Sequence, residues 1–150
     1  MDYSAAMDRA AKLLNYSRMS CKELKEKLIR KGESEEAAEY CSERLEELGL
    51  LNDRQYALDV ARHYSRKGYG EGKIKAELIR RGVPKEYFSE ALDSVEDNSE
   101  RIREFIIKKL KDPSDRSELQ KISAALARRG FSISEIKSAI AAVTENFRED

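Results

Sequence analysis

The chain has 150 residues, 39% charged and 40% hydrophobic, with 29 basic residues balanced by 29 acidic ones. Zero net charge excludes a polycation that simply coats nucleic acid. No apolar run approaches the roughly 20 residues of a membrane span, and the opening Met1-Asp2-Tyr3-Ser4 is polar, so a cytoplasmic protein with reduced thiols at Cys21 and Cys41 is expected.

Seven Gly, two Pro and no Trp, against abundant Glu, Lys, Leu, Ala and Arg, favour helices whose side chains lose little rotamer freedom. The first helix is carried by Ala10, Leu13 and Leu14. Ser20-Cys21-Lys22-Glu23 reads as a capping box opening the second, in which Leu24 and Leu28 share a face and Gly32 follows a basic pair. Ser34, Glu35 and Glu36 give the third a capped, acidic start, with Ala38, Cys41, Leu45 and Leu48 as its apolar positions. Gly49 ends that helix, and Asn52 or Asp53 caps the next, carried by Tyr56, Val60, Ala61 and Tyr64.

The turn Lys67-Gly68-Tyr69-Gly70-Glu71-Gly72 follows no predicted strand and lacks a Gly-Lys-Ser/Thr end, so it is neither a dinucleotide fingerprint nor a Walker loop. It reads as a flexible helix–helix turn. Gly70 stands where Ser20 stood, ahead of a helix bearing Ile74 and Leu78 and ending at Gly82. Pro84 suits a first helical position before Phe88, Leu92 and Val95. After the junction Glu96-Asp97-Asn98-Ser99 comes a helix carried by Ile102, Phe105, Ile106 and Leu110, then the insertion Asp112-Pro113-Ser114-Asp115. Ser117 to Gln120 reads as a capping box for the helix of Ile122 and Leu126, closed by Gly130. Ser132 to Glu135 is another, opening a helix with Ile136, Ile140 and Val143.

Three stretches in this series repeat one pattern: Leu24 to Gly32, Ile74 to Gly82 and Ile122 to Gly130. Each has an apolar residue, three residues, Leu, an apolar residue, two basic residues and Gly. The glycines are separated by 82 − 32 = 50 and 130 − 82 = 48 residues. A glycine in the left-handed conformation just past the helix, with cations at the negative end of its dipole, explains the motif. The expected fold is all-α: three tandem three-helix repeats forming an elongated, curved array, with modules at 1–50, 51–97 and 98–150. Ile29, Ile79 and Ala127 point away from the face of their own module and are expected to touch a neighbouring one.

Charge is sorted along the chain. From Arg54 to Lys85 nine basic residues meet three acidic ones, whereas Glu86 to Glu100 has six acids and no base, and Glu33 to Glu47 has seven acids against Arg44. On a helical wheel Arg30, Arg80 and Arg128 fall in one direction, with Lys73 and Lys121 beside them. The candidate partner or DNA contacts are therefore Arg30, Arg62, Arg66, Lys67, Tyr69, Lys73, Lys75, Arg80, Lys121 and Arg128. Cations interleaved with tyrosines suit phosphate or carboxylate contacts with occasional stacking. Lys31, Arg81 and Arg129 fit better as stems over the core serving the helix dipole.

A single histidine, His63, with Cys21 and Cys41 at no standard ligand spacing, points to neither a zinc site nor a catalytic arrangement, and no cofactor or reaction is expected.

The repeated helix ends resemble RecX proteins. So do Leu45 to Ala57, the run Arg66-Lys67-Gly68-Tyr69-Gly70, and the opening stretch Ala10 to Leu24. The resemblance covers essentially the whole chain and is most specific in the middle module. It implies a cytoplasmic, non-enzymatic bacterial regulator that binds the RecA recombinase filament and restrains its extension, strand exchange and ATP hydrolysis, acting as a monomer with no membrane contact. Two other readings stay open at this point: a stand-alone module for single- or double-stranded DNA, and a helical-repeat scaffold for another protein.

Overall fold

The computed structural model describes residues 2–149, with side chains through residue 146; Met1 and Asp150, the outer ends of the first and third expected modules, lie outside that range. Among the described residues there are nine α-helices and no strand. They are α1 (Ser4–Tyr16), α2 (Cys21–Arg30), α3 (Glu35–Glu47), α4 (Asp53–Arg66), α5 (Glu71–Arg80), α6 (Phe88–Asp93), α7 (Ser99–Lys109), α8 (Arg116–Arg128) and α9 (Ile133–Glu149). A single 3-10 turn, Lys85–Tyr87, leads into α6.

The helix ends follow the local chemistry. Gly32, Gly82 and Gly130 have φ of 101°, 75° and 97°. In each case the glycine N–H and the next N–H reach back to the last turn: Gly32 to Ile29 and Glu33 to Leu28, Gly82 to Ile79 and Val83 to Leu78, Gly130 to Ala127 and Phe131 to Leu126. This double hook satisfies carbonyls that the helix leaves open. At the starts, Ser20 and Glu23 form the reciprocal capping box, Ser34 accepts from the Ala37 N–H, and Ser132 and Glu135 repeat the box. Asn52 caps α4 by accepting from the Gln55 N–H.

Two expected starts differ. Asp115, not Ser117, caps α8, accepting from the Ser117 and Glu118 N–H groups, because a carboxylate two residues earlier outcompetes a hydroxyl. Pro84 sits one place before the helical turn, with an extended ψ of 138°.

The helices pack as two compact units. One comprises the chain up to Val60 together with Glu77–Ala91, and the other Ala61–Ala76 together with the chain from Leu92 onward. In the first, Ala6 and Ala10 of α1, Leu24 and Leu28 of α2, and Ala37, Ala38, Cys41 and Leu45 of α3 form a continuous core with Met19 and Leu51. The Ala and Cys face of α3 makes its close packing on the leucines of α2 sterically easy. Glu-rich turns on the other side stay in water. In the second unit Ile102, Ile106 and Leu110 of α7 meet Ile122 and Leu126 of α8 and Ile136, Ala139 and Val143 of α9, with Phe131 between. Each buried Val, Leu, Ile or Phe side chain among them contributes about 1.5–3 kcal/mol on burial.

Some apolar positions do not enter the cores. Leu48, at the end of α3, is 52% exposed, since the helix stops there and its side chain clears the core. Ile29 and Ile79, expected against a neighbouring module, are 43% and 60% exposed, and Ala127 is exposed as well. The Leu24/Leu28 type of face satisfies each module's packing without them.

Candidate functional site

The second unit is organised by a close approach of backbones. The N–H of Gly70 donates to the carbonyl of Arg129 at 2.7 Å, and that of Gly72 to the carbonyl of Gly130 at 2.9 Å. The start of α5 thus supplies donors to the open C-terminal carbonyls of α8. A Cβ at Gly70 would lie 2.7 Å from the Gly130 carbonyl, and one at Gly130 only 2.3 Å from the Lys73 nitrogen. The 67–72 turn, expected to be flexible, is therefore pinned. Gly68 ends α4 with φ 90°, and Gly70 and Gly72 serve contact with α8.

Pinning the turn brings Lys67 and Tyr69 against α7 and α8. A groove of about 660 Å³ is lined there by Lys67, Tyr69, Phe105, Lys109, Glu118, Lys121, Ile122, Ala125, Arg128 and Arg129. It holds five cations, two aromatic rings and one carboxylate. Arg129 lays its guanidinium over the Phe105 ring at 4.7 Å, and the Lys109 ammonium lies 6.0 Å from that ring. Lys73 lies 5.8 Å from the Tyr69 ring, and the Tyr64 ring backs Tyr69 at 5.7 Å.

The ten sequence-derived candidates separate clearly. Lys67, Tyr69, Lys121 and Arg128 share the groove, with Lys73 against Tyr69. Arg128 and Lys73 also line a second hollow of about 720 Å³ with Glu71, Phe131, Ser132 and Glu135. Arg62 and Arg66 border a smaller hollow of about 150 Å³ whose lining also holds Glu96, Asp97 and Arg101. Lys75 is exposed on α5 away from these hollows' linings. Arg30 and Arg80 belong to the first unit: Arg30 is exposed at the end of α2, and the Arg80 guanidinium is bonded to Glu77. Three groove residues escaped the sequence reading. Phe105 read as core and Arg129 as a dipole partner, and Lys109 was not singled out. The signal available was the i,i+4 pair Phe105/Lys109 facing a basic helix end.

The first unit treats its charges differently. Among the described residues every ion pair lies in it: Arg9–Glu33, Arg18–Asp59, Lys25–Glu39, Arg44–Glu47, Arg54–Glu90, and Glu77 with both Arg80 and Arg81. Glu77 is the buried hub. The hydrogen bond from Arg80, helped by Arg81, overcomes its burial and holds its carboxyl down at about 2. Arg81 also donates to the Tyr56 hydroxyl at 2.8 Å, and that hydroxyl donates to Glu23 at 3.0 Å. The loop closes where Ser20, capping α2, donates its hydroxyl to the Arg81 carbonyl. Arg81, expected to serve the helix dipole, instead places its guanidinium on the Glu77 carboxylate and the Tyr56 hydroxyl.

Burial, and the hydrogen bond to Glu46, push the Cys21 thiol up to about 12, and Cys41 is fully buried. Among the described residues no group of three His, Cys, Asp or Glu side chains could hold a metal ion, and no helix is long and apolar enough to cross a membrane.

These features define a class: an all-helical protein of tandem three-helix modules, with paired charges in one unit and a cation-lined, aromatic groove in the other. Models of the three three-helix domains of RecX match in chain order, the first over residues 6–45, the second over 52–92 and the third over 96–140. The chain belongs to the RecX family. The regulatory protein RecX of Pelodictyon phaeoclathratiforme is 37% identical over 138 residues, 90% of this chain and 86% of that protein. That of Xanthomonas axonopodis pv. citri is 35% identical over 136 residues, 89% of this chain and 84% of that protein. The crystal structure of RecX from Lactobacillus salivarius superposes with a TM-score of 0.80 at 25% identity, covering 95% of this chain and 96% of that one.

Proposed function

We propose that this chain is a cytoplasmic regulator of homologous recombination that binds the RecA–DNA filament and restrains its extension, strand exchange and ATP hydrolysis. The observation that carries the reading is the match of all three RecX domains in order, together spanning residues 6–140. The curated relatives bear the name regulatory protein. The modules 1–50, 51–97 and 98–150 would each offer a different contact. The acidic outer face of α3 suits basic patches on the partner, and the cations of Lys67, Lys73, Lys121 and Arg128 suit carboxylates or phosphates. Several shallow contacts on a repeating partner add up to useful avidity when their spacing matches the repeat. The protein acts by occupancy, one monomer at a time, and brings no chemistry of its own.

The test is direct. RecA is assembled on single-stranded DNA, and ATP hydrolysis is followed as this protein is added from substoichiometric to equimolar amounts. Hydrolysis is expected to fall as sites fill. A rate unchanged at equimolar protein, with no co-sedimentation on the filament, would end the proposal.

A further inference from the structure

The groove between the pinned 67–72 turn and helices α7 and α8 has a composition that protein folding alone does not call for. Lys67, Lys109, Lys121, Arg128 and Arg129 converge on it, and among the described residues none of the five is ion-paired. The one acid in the lining, Glu118, accepts a hydrogen bond from the Lys111 backbone N–H. The same chain pairs seven other cations with carboxylates in its first unit. Unpaired like charges around a concave, partly apolar wall focus a positive potential that draws anions in.

Charge alone would suit any anion. The rings narrow the choice. The Arg129 guanidinium carbon lies over Phe105, 4.7 Å from the ring centroid, and the side chain runs through space that Gly68 leaves open, since a Cβ there would come 3.2 Å from its Nη1. Tyr69 lines the groove as well, and Ile122 and Ala125 add apolar lining. A planar guanidinium backed by an aromatic ring is a platform on which a nucleobase stacks. An acidic peptide would use the cations and leave that platform bare. In a duplex each base face is already covered by its neighbours. We infer that this groove is a binding site for single-stranded nucleic acid, its phosphates on Lys67, Lys109, Lys121 and Arg128 and an unpaired base stacked on the Arg129 guanidinium. The site needs no recombinase, so it stands or falls apart from the filament reading.

The test uses the full chain and a fluorescein-labelled twelve-residue oligothymidylate, with anisotropy read in low salt. Engagement of three or four phosphates gives a slope of about −2 to −3 in log affinity against log salt. Lys109→Glu combined with Lys121→Glu is expected to weaken binding about tenfold or more. The charge-matched pair Arg116→Glu and Lys137→Glu, exposed elsewhere in the same unit, leaves it within about twofold. Circular dichroism confirms that each variant is folded. An oligonucleotide carrying 2-aminopurine reports stacking. Its fluorescence is quenched by the wild type, and Arg129→Lys, which keeps the charge and removes the plane, loses most of the quench. No binding by the folded wild type, equal weakening by both charge pairs, or an unchanged quench with Arg129→Lys overturns the inference. So does tighter binding of the duplex, of free nucleotide or of a polyglutamate peptide than of the single strand.

Discussion

Replacing Glu77 with glutamine removes the charge at the hub of the first unit and keeps its shape. Glu77 is 6% exposed, and its Oε1 accepts from Arg80 at 3.1 Å and from Arg81 at 2.9 Å. Its carboxyl is held at about 2 against an ordinary 4.5, so the folded state favours the ionised form. The full difference corresponds to about 3 kcal/mol at neutral pH. Arg80 is largely exposed, which screens its share and brings the expected loss to about 2 kcal/mol. A depressed carboxylate contributes its stability above its unfolded value near 4.5, and that stability disappears as the pH falls toward 2.

Urea unfolding followed by circular dichroism should therefore show Glu77→Gln weaker than wild type by about 2 kcal/mol at pH 7, with the gap shrinking to less than half near pH 3. The acid sensitivity of the wild type between pH 5 and pH 2 should be correspondingly blunted in the variant. A gap below about 0.5 kcal/mol at pH 7, or one that stays constant down to pH 3, would show that the Arg80–Glu77–Arg81 cluster does not hold the unit in the way the geometry requires.

Other perturbations separate local from tertiary causes. Gly32→Ala meets nothing within 4 Å and should cost only the left-handed backbone, about 1 kcal/mol, whereas Gly130→Ala adds a collision with the Lys73 backbone and should cost about 3 kcal/mol or more in a urea titration. Equal losses would mean that the α5–α8 approach is loose. At pH 8 the thiolate of Cys21 is scarce, with its thiol near 12, so iodoacetamide should label the native protein far more slowly than the urea-unfolded chain; equal rates would contradict its bond to Glu46. Ile79→Glu should leave the urea midpoint within about 0.5 kcal/mol of wild type, because the side chain lies largely in water.

Helix positions and ends were readable because their causes are local. The Leu24/Leu28 spacing, the Ser20–Glu23 box and the glycines at 32, 82 and 130 act over one or two turns, and each appears in the structure in that role. The capping of α8 was misread because Asp115 and Ser117 are both plausible starts, and only backbone geometry separates them. The groove was legible in part. A basic stretch with tyrosines pointed to Lys67, Tyr69, Lys121 and Arg128, but Phe105 and Arg129 carried ordinary packing and dipole roles that masked their second use.

The amino-acid sequence by itself determined an all-helical chain of three repeated modules, since helical periodicity and cap chemistry depend on neighbours a few residues apart. Which cations find a carboxylate far away in the chain was decided by the tertiary structure. Arg54 is neutralised by a carboxylate 36 positions away and Arg18 by one 41 positions away, while Lys109, Lys121 and Arg128 meet none among the described residues. The packing of Gly70 and Gly72 on the end of α8 belongs to the same level. Coulomb and hydrogen-bonding interactions act through space, and a linear order of residues does not state those distances.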